Sequence, residues 1–197
     1  DKLIAKKRDI KQAAMQQLLT GRRRLPGFSD VWGVGELCDV ADVMMGQSPP
    51  GSSYNLRGIG MPLINGPTEF TDTHPVAIQW TSAPTRLCRP GDLLLCVRGS
   101  STGRTNIADD DYCIGRGVAA IRAKPGNDNA FVAYQVESSV ADILAVTTGS
   151  TFPNIDGKTL RELRIRTAGL PEQVAIASVL SDMDAEIEAL ERRRDKT

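Results

Sequence analysis

Apolar residues recur with helical spacing near both ends of the chain. Residues 2–20 contain good helix formers without Gly or Pro, and Leu3, Ile10, Ala14 and Leu18 are expected to share one face. Gly21 follows as a typical helix-ending residue. A second helix is predicted from Pro171, because Pro is favoured at the first helical position. Its apolar residues alternate spacings of four and three: Ile176, Leu180, Met183, Ile187 and Leu190.

This alternation is a heptad pattern, which is typical of a helix that packs along a second helix. The pattern is short for a coiled coil. It therefore leaves open whether the partner is another helix or the helix's own globular domain.

The residues between these helices have the pattern of an α+β domain. Short apolar runs bounded by Gly, Pro and Asp predict strands, and one longer run predicts a helix at 131–145. The predicted strands cover residues 76–80, 92–97, 112–114, 118–122 and 160–165. We therefore predict three units: a terminal helix at 1–24, one globular domain with a twisted β-sheet and short helices at 25–170, and a heptad helix at 171–197.

The charge of the chain is balanced as a whole but unevenly placed. The 197 residues hold 24 Lys and Arg against 24 Asp and Glu, which argues against a protein that coats nucleic acid by bulk charge. Residues 1–24 carry 8 basic and 2 acidic residues, whereas residues 171–197 carry 4 and 7. The two predicted helices could therefore complement each other, within one chain or between two chains.

Several classes of protein are disfavoured by what the sequence lacks. The longest apolar run, Leu93–Val97, is strand-sized, and residues 1–11 do not resemble a signal peptide, so we expect a cytoplasmic protein with no membrane association. The four cysteines form no C-x-x-C pair and His74 is the only histidine, which disfavours a structural zinc site.

No complete catalytic motif is present either. Ser48-Pro-Pro-Gly51 is similar to the signature of amino-methyltransferases but has Gly in place of the base-stacking aromatic residue. Gly157-Lys158-Thr159 lacks the earlier glycine of a P-loop, and Asp109–Asp111 lack the lysine of a magnesium nuclease site. We therefore expect no catalytic residue, metal or cofactor in this chain.

Arginine-rich polar loops are the remaining chemical feature. Residues 25–170 contain ten Arg against two Lys, and arginine grips phosphate and reads guanine with two parallel donors. Turn chemistry and surface ion pairs are the alternative interpretation. The candidate DNA-binding residues are Gln47, Ser48, Ser52, Tyr54, Arg57, Arg98, Ser100, Ser101, Thr102, Arg104, Asn106, Arg116, Ser150 and Lys158.

Motifs along nearly the whole chain resemble the specificity subunit of type I restriction-modification systems. They occur in family order and comprise Trp32–Pro50, Gly91–Leu94, Arg98–Ser100, Cys113–Arg122, Gly149–Ile155, Leu170–Gln173 and the end of the first helix, Lys11–Gly21. Such a subunit carries two target recognition domains joined by two conserved helices in an antiparallel coiled coil. This chain has one such domain and is similar to a half-subunit.

The resemblance implies a non-catalytic protein that reads one half-site of a split site in double-stranded DNA. Its helices would form the spacer that sets the gap between the two half-sites, and they would dock the modification subunits. A restriction subunit would join this complex for cleavage. S-adenosylmethionine, ATP and Mg²⁺ would be bound by these partners only. The simplest completion is a homodimer with two-fold symmetry. Alternatives are a fragment of a larger two-domain subunit, part of a fused restriction-methylation enzyme, a protein adaptor that ignores DNA and, outside this class, a stand-alone methyltransferase or nuclease.

Within this interpretation the candidate residues divide into two roles. Arg98, Arg104, Gln47 and Tyr54 are predicted to contact bases, whereas Arg116, Lys158 and Ser150 are predicted to contact phosphate. Motif residues recur in subunits that read different sequences, so base readers are expected chiefly in the intervening loops, such as 52–74 and 100–110.

Overall fold

The computed structural model describes residues 2–146 and 154–195. Its helices are α1 Lys2–Leu18, α2 Leu37–Val40, α3 Asn129–Val146, α4 Gly157–Arg161 and α5 Leu170–Arg194. Its strands are β1 Gly33–Glu36, β2 Ala41–Met45, β3 Tyr54–Asn55, β4 Met61–Ile64, β5 Gln79–Thr81, β6 Leu87–Cys88, β7 Leu93–Cys96, β8 Thr105–Ile107, β9 Tyr112–Ile114, β10 Val118–Ala123 and β11 Arg164–Thr167. The α+β fold class is thus as predicted.

Two sheets pack against each other in the globular part. The order β2-β10-β7-β8 forms an antiparallel four-stranded sheet, and β3-β5-β4-β9-β6 forms a five-stranded sheet in which β4 and β9 are parallel. Strand β7 is buried on both faces, since Leu93 and Leu95 pack beneath α3 while Leu94 and Cys96 face the second sheet. This explains the continuous apolar run that the sequence shows there.

The long helices α1 and α5 pair with each other within the chain. Ion pairs join Arg8 to Glu191 at 2.5 Å and Lys7 to Glu186 at 2.7 Å, while Arg24, just beyond α1, reaches Glu172 at the start of α5. The two helices are therefore antiparallel, with opposite charges facing. The heptad residues Ile176, Leu180 and Ile187 are buried, and Met183 and Leu190 are partly buried.

The face predicted for α1 needs correction. Ala14 and Leu18 pack toward α5, but Leu3 and Ile10 are 54% and 44% exposed. Ile4 and Met15 are buried in their place, so the packed face is rotated by about one residue from the predicted one. The cause is that Lys7 and Lys11 occupy this face through ion pairs, which an apolar pattern does not register.

Two predicted strands are also placed differently. Leu160 belongs to α4, because the Asp156 side chain accepts hydrogen bonds from the backbone N–H groups of Lys158 and Thr159 and caps a short helix there. The strand β11 begins only at Arg164. In the 76–80 segment, ladder pairing begins at Gln79.

A buried polar network fixes the paired helices to the globular part. Glu172 accepts hydrogen bonds from Arg24 at 2.6 and 2.7 Å and from the Trp32 indole at 2.9 Å. Gln173 accepts from the backbone N–H of Asp128 and donates to the carbonyl of Ala168, both at 2.8 Å. The Leu170–Gln173 motif is therefore a structural joint.

A second polar contact closes the junction between α1, α3 and α5. Lys11 donates to Asp184 at 2.5 Å, Tyr134 donates to the same carboxylate at 2.7 Å, and Thr105 donates to Glu137 at 2.9 Å. Burial raises the pKa of Glu137 and outweighs the opposing effects of Thr105 and Lys11.

The raised pKa of Glu137 predicts a pH-dependent effect of Glu137→Gln on stability. An acid whose pKa is higher in the folded state loses folded stability as it ionises with rising pH. The glutamine keeps an acceptor for Thr105 without the charge. We expect the variant to gain stability relative to the parent as the pH rises above the ordinary glutamate pKa of 4.5, measured by urea unfolding. Glu162→Gln, at the exposed residue that directly follows α4, is the control. A parent chain that gains stability over the variant as pH rises would contradict the assignment.

Candidate nucleic-acid interface

An open groove lies where the two sheets meet at the start of β10. Its volume is about 1010 Å³, and it is lined by Ser48, Tyr54, Asn65, Gln79, Arg98, Arg116 and Gly117. Four of the predicted DNA-binding residues thus lie together, from three loops and the start of β3: Ser48, Tyr54, Arg98 and Arg116. Asn65 and Gln79 line the same groove and were not predicted.

Backbone contacts between glycine-containing turns build the floor of this groove. The backbone N–H groups of Gly46 and Gln47 donate to Val118 and Ile114, and that of Val97 donates to Gly117. The N–H of Gly115 donates to Ile64, which ties the turn to β4. The N–H of Arg116 donates to the Ser48 hydroxyl at 3.3 Å. The loops that carry Ser48, Arg98 and Arg116 are therefore held by one continuous set of hydrogen bonds.

Close backbone approach at Gly46 predicts a strong effect of Gly46→Ala. An added Cβ would clash with the carbonyl oxygens of Gly115, Val118 and Ile114, all of which belong to the floor of the groove. Overpacking of this kind typically costs about 1–3 kcal/mol. We expect a loss of about 2 kcal/mol or more in the free energy of unfolding by urea titration.

The matched control is Gly51→Ala, where an added Cβ would meet no atom within 4 Å. This variant should unfold like the parent chain. Equal stability of the two variants would contradict the prediction, because it would mean that the backbone around Gly46 accommodates the added Cβ at little cost.

The charge of the groove is one-sided. Of the described residues that line it, two are arginines and none is acidic. The guanidinium groups of Arg98 and Arg116 make no hydrogen bond or ion pair with any part of the chain that the structure describes. Two unpaired guanidiniums over a floor of neutral polar groups can donate hydrogen bonds to phosphate oxygens or to the acceptor edge of guanine.

Several other predicted residues are exposed but do not line the groove. Gln47 and Arg104 are exposed and are not among the groove residues. Arg57 lies in a turn that the Asn55 side chain holds by accepting hydrogen bonds from the N–H groups of Arg57 and Ile59. Lys158 lies in α4, 3.8 Å from Glu162. Ser52, Ser100 and Ser101 lie in exposed or partly exposed turns. Ser150 lies outside the described residues.

Two of the predicted DNA contacts need correction, because their side chains serve the fold. The Thr102 hydroxyl donates to Gly99 at 2.7 Å within a turn and is largely buried. Asn106 is only 6% exposed and its amide donates to Thr71 at 2.7 Å, which fixes the 71–74 loop on β8. Both residues were chosen for their polar side chains in a polar loop, and only packing shows which way they point.

Asn65 and Gln79 could not be selected from the sequence by motif. Asn65 follows β4 and packs against Gly115, where an added Cβ would clash with its Oδ1 atom. Gln79 begins β5 between apolar neighbours. The usable signal for Asn65 was its position within the intervening loop 52–74, where base readers were expected.

The described part of the chain contains no group of three or more His, Cys, Asp or Glu side chains arranged to hold a metal ion. Burial raises the pKa of Cys96 to about 11, which keeps this thiol protonated in the core. No described helix is long and apolar enough to cross a membrane.

Comparison with known proteins identifies this scaffold. Residues 30–196 match the family described as "Type I restriction modification DNA specificity domain". The chain belongs to this family. A putative type I restriction enzyme MjaX specificity subunit from Methanocaldococcus jannaschii is 37% identical over 155 residues, covering 78% of this chain and 36% of that protein. The MjaIX specificity subunit from the same organism is 25% identical over 175 residues, covering 83% of this chain and 40% of that protein.

Solved structures of type I restriction-modification proteins are similar to this chain over nearly its whole length. The crystal structure of the HsdS subunit from Thermoanaerobacter tengcongensis has 33% sequence identity and a TM-score of 0.77, covering 98% of this chain and 47% of that chain. A structure from work on complex assembly and conformational transition of the type I R-M system also has 33% identity and a TM-score of 0.77, covering 99% of this chain and 49% of that one. The chain thus spans about half the length of these relatives or less.

Proposed function

We propose that this specificity domain reads one half of a split site in double-stranded DNA and performs no chemistry itself. The groove between the two sheets is the proposed reading surface. The observation that carries the proposal concerns the guanidinium groups of Arg98 and Arg116. Neither has a partner in the described part of the chain, and the described residues that line the groove include no acidic side chain. Phosphate contacts would position the duplex, and contacts to base edges would specify its sequence.

The paired helices α1 and α5 are proposed as the spacer that docks modification subunits. Their joint to the domain through Glu172 and Gln173 would fix the distance and angle between the groove and these partners. In this proposal a restriction subunit joins the same complex, and S-adenosylmethionine, ATP and Mg²⁺ are bound by partners. The complex would act in the cytoplasm.

The second half-site requires a second recognition domain. We propose a homodimer with two-fold symmetry, which gives identical inverted half-sites. The heptad residues of α5 do not require it, since α1 of the same chain covers them. The exposed apolar residues Leu3 and Ile10 on the outer face of α1 are the surface that favours a further contact. The alternative is that these residues contact the remainder of a longer two-domain subunit or fused enzyme.

Selection from random duplex DNA tests the reading function. The purified chain, with its modification subunit where available, is incubated with a random library, and bound sequences are recovered at two salt concentrations. We expect one enriched motif, present as two inverted copies at fixed spacing for a homodimer and as a single half for a monomer. Binding without any enriched motif would contradict sequence recognition.

A further inference from the structure

The residues that line the groove fall into two sets according to the part of the chain from which they come. Ser48, Arg98, Arg116 and Gly117 lie in the segments that carry the family resemblance. The remaining three, Tyr54, Asn65 and Gln79, lie outside those segments. Family members that read different DNA sequences would share the first set for positioning and differ in the second. Base selectivity is therefore to be sought among the three residues of the second set.

Gln79 is the best placed of these three residues to read a base. It lies on β5, which is hydrogen-bonded to β3 on one side and to β4 on the other. Its partner across the β4 ladder is the fully buried Leu63. The backbone at this position is thus held on a rigid element, which gives a contact better precision than a loop does.

The other two residues are less suited to reading a base, because the Asn65 side chain packs within the fold and the Tyr54 hydroxyl is less selective. Asn65 packs against Gly115, where its Oδ1 atom leaves no room for a Cβ. The hydroxyl of Tyr54 presents one donor and acceptor atom, which does not distinguish bases as two groups do. The Gln79 amide makes no hydrogen bond within the described chain, so both its carbonyl and its NH₂ group are free.

We infer that Gln79 reads one adenine of the half-site in the major groove. A glutamine amide matches adenine because its NH₂ group donates to N7 and its carbonyl accepts from the N6 amino group. The major groove is wide enough for a two-stranded β-ribbon, and β3 and β5 form such an edge beside the two arginines. This inference rests on the proposed function, since it names a reader within the proposed DNA surface.

The experiment compares motifs selected from random DNA by the parent chain and by Gln79→Ala and Gln79→Glu. Both variants should lose the preference for adenine at one position of the half-site and keep the other positions. Affinity for the parent motif should fall about 10-fold, with non-specific binding unchanged for Gln79→Ala. Gln79→Glu keeps the size of the side chain but lacks the NH₂ donor. Comparison with Gln79→Ala therefore distinguishes loss of this hydrogen bond from loss of packing. Gln16→Ala, exposed on α1 and outside the groove, is the matched control and should select the parent motif.

Replacement of the adenine that the parent chain prefers by 7-deazaadenine tests the proposed hydrogen bond to N7. This base lacks the N7 acceptor, so it should weaken binding of the parent chain and leave binding of Gln79→Ala unchanged. An unaltered motif for both variants, or equal weakening of parent and Gln79→Ala by 7-deazaadenine, would overturn the inference while leaving DNA recognition intact. A parent chain that selects no motif would instead contradict the proposed function.

Discussion

Replacement of both Arg98 and Arg116 by alanine is expected to lower affinity for the selected DNA site by roughly 100-fold. The two side chains are the only cationic groups among the described residues that line the groove. Neither guanidinium group has a hydrogen-bond or ion-pair partner in the described chain. Their loss should leave folding intact, because both guanidiniums are exposed. Each lost phosphate contact should also reduce the slope of log affinity against log salt by about 1.

Fluorescence anisotropy across a salt series measures this effect. The control is Arg161→Ala with Arg164→Ala, which removes two exposed arginines outside the groove and so produces the same change in net charge. If affinity depended on overall charge alone, both pairs would weaken binding equally. The groove assignment requires the pair at 98 and 116 to have a much larger effect.

The second large effect is expected at the joint between the helices and the globular part. Glu172 is 2% exposed and accepts three hydrogen bonds, two from Arg24 and one from Trp32. Glu172→Ala leaves these donors without their acceptor. The Arg24 side chain is 26% exposed, so water replaces part of its lost contact, whereas the Trp32 indole loses its acceptor. A hydrogen bond to a charged group typically contributes about 1.5–3 kcal/mol, so we expect a loss of about 2–3 kcal/mol in the free energy of unfolding, together with loosening of α5 from the domain.

Urea unfolding followed by circular dichroism measures the loss, and hydrogen exchange of the α5 amides locates it. Glu188→Ala is the matched control, because Glu188 lies on the same helix in an exposed ion pair with Arg192 at 3.4 Å. Such a pair contributes at most about 1 kcal/mol. A similarly small effect at Glu172 would mean that the network does not support the joint.

The large elements of the fold could be predicted because their signals are local. The heptad residues Ile176, Leu180 and Ile187 are buried as their spacing indicates, and the run at Leu93–Cys96 is a buried strand. The rotation of the packed face of α1 could not be predicted, because it depends on lysines paired with acidic residues more than 170 positions away. The two-residue strands β3 and β6 were missed because pairing with distant strands defines them.

The candidate site was predictable only in part for the same reason. Arginine content and polar loops indicate DNA contacts, and four of the residues chosen in this way line one groove. The direction of a side chain in a loop depends on the packing around it, which is why Thr102 and Asn106 were chosen although they are turned into the fold. Gln79 gave no signal, since a single glutamine after an apolar run is common on exposed strands.

Photocrosslinking from position 54 is the most direct test that the groove holds DNA. Tyr54 lines the groove, and p-benzoylphenylalanine keeps its aromatic ring and adds a photoreactive benzoyl group at the position of the hydroxyl. We expect a crosslink to a defined nucleotide of the selected site. Excess unlabelled site should abolish this crosslink, and so should replacement of both Arg98 and Arg116 by alanine. The same probe at Val31, an exposed position outside the groove, should give none. Sequence-specific binding with crosslinks from position 31 and none from position 54 would contradict the assignment of the groove as the DNA-binding surface.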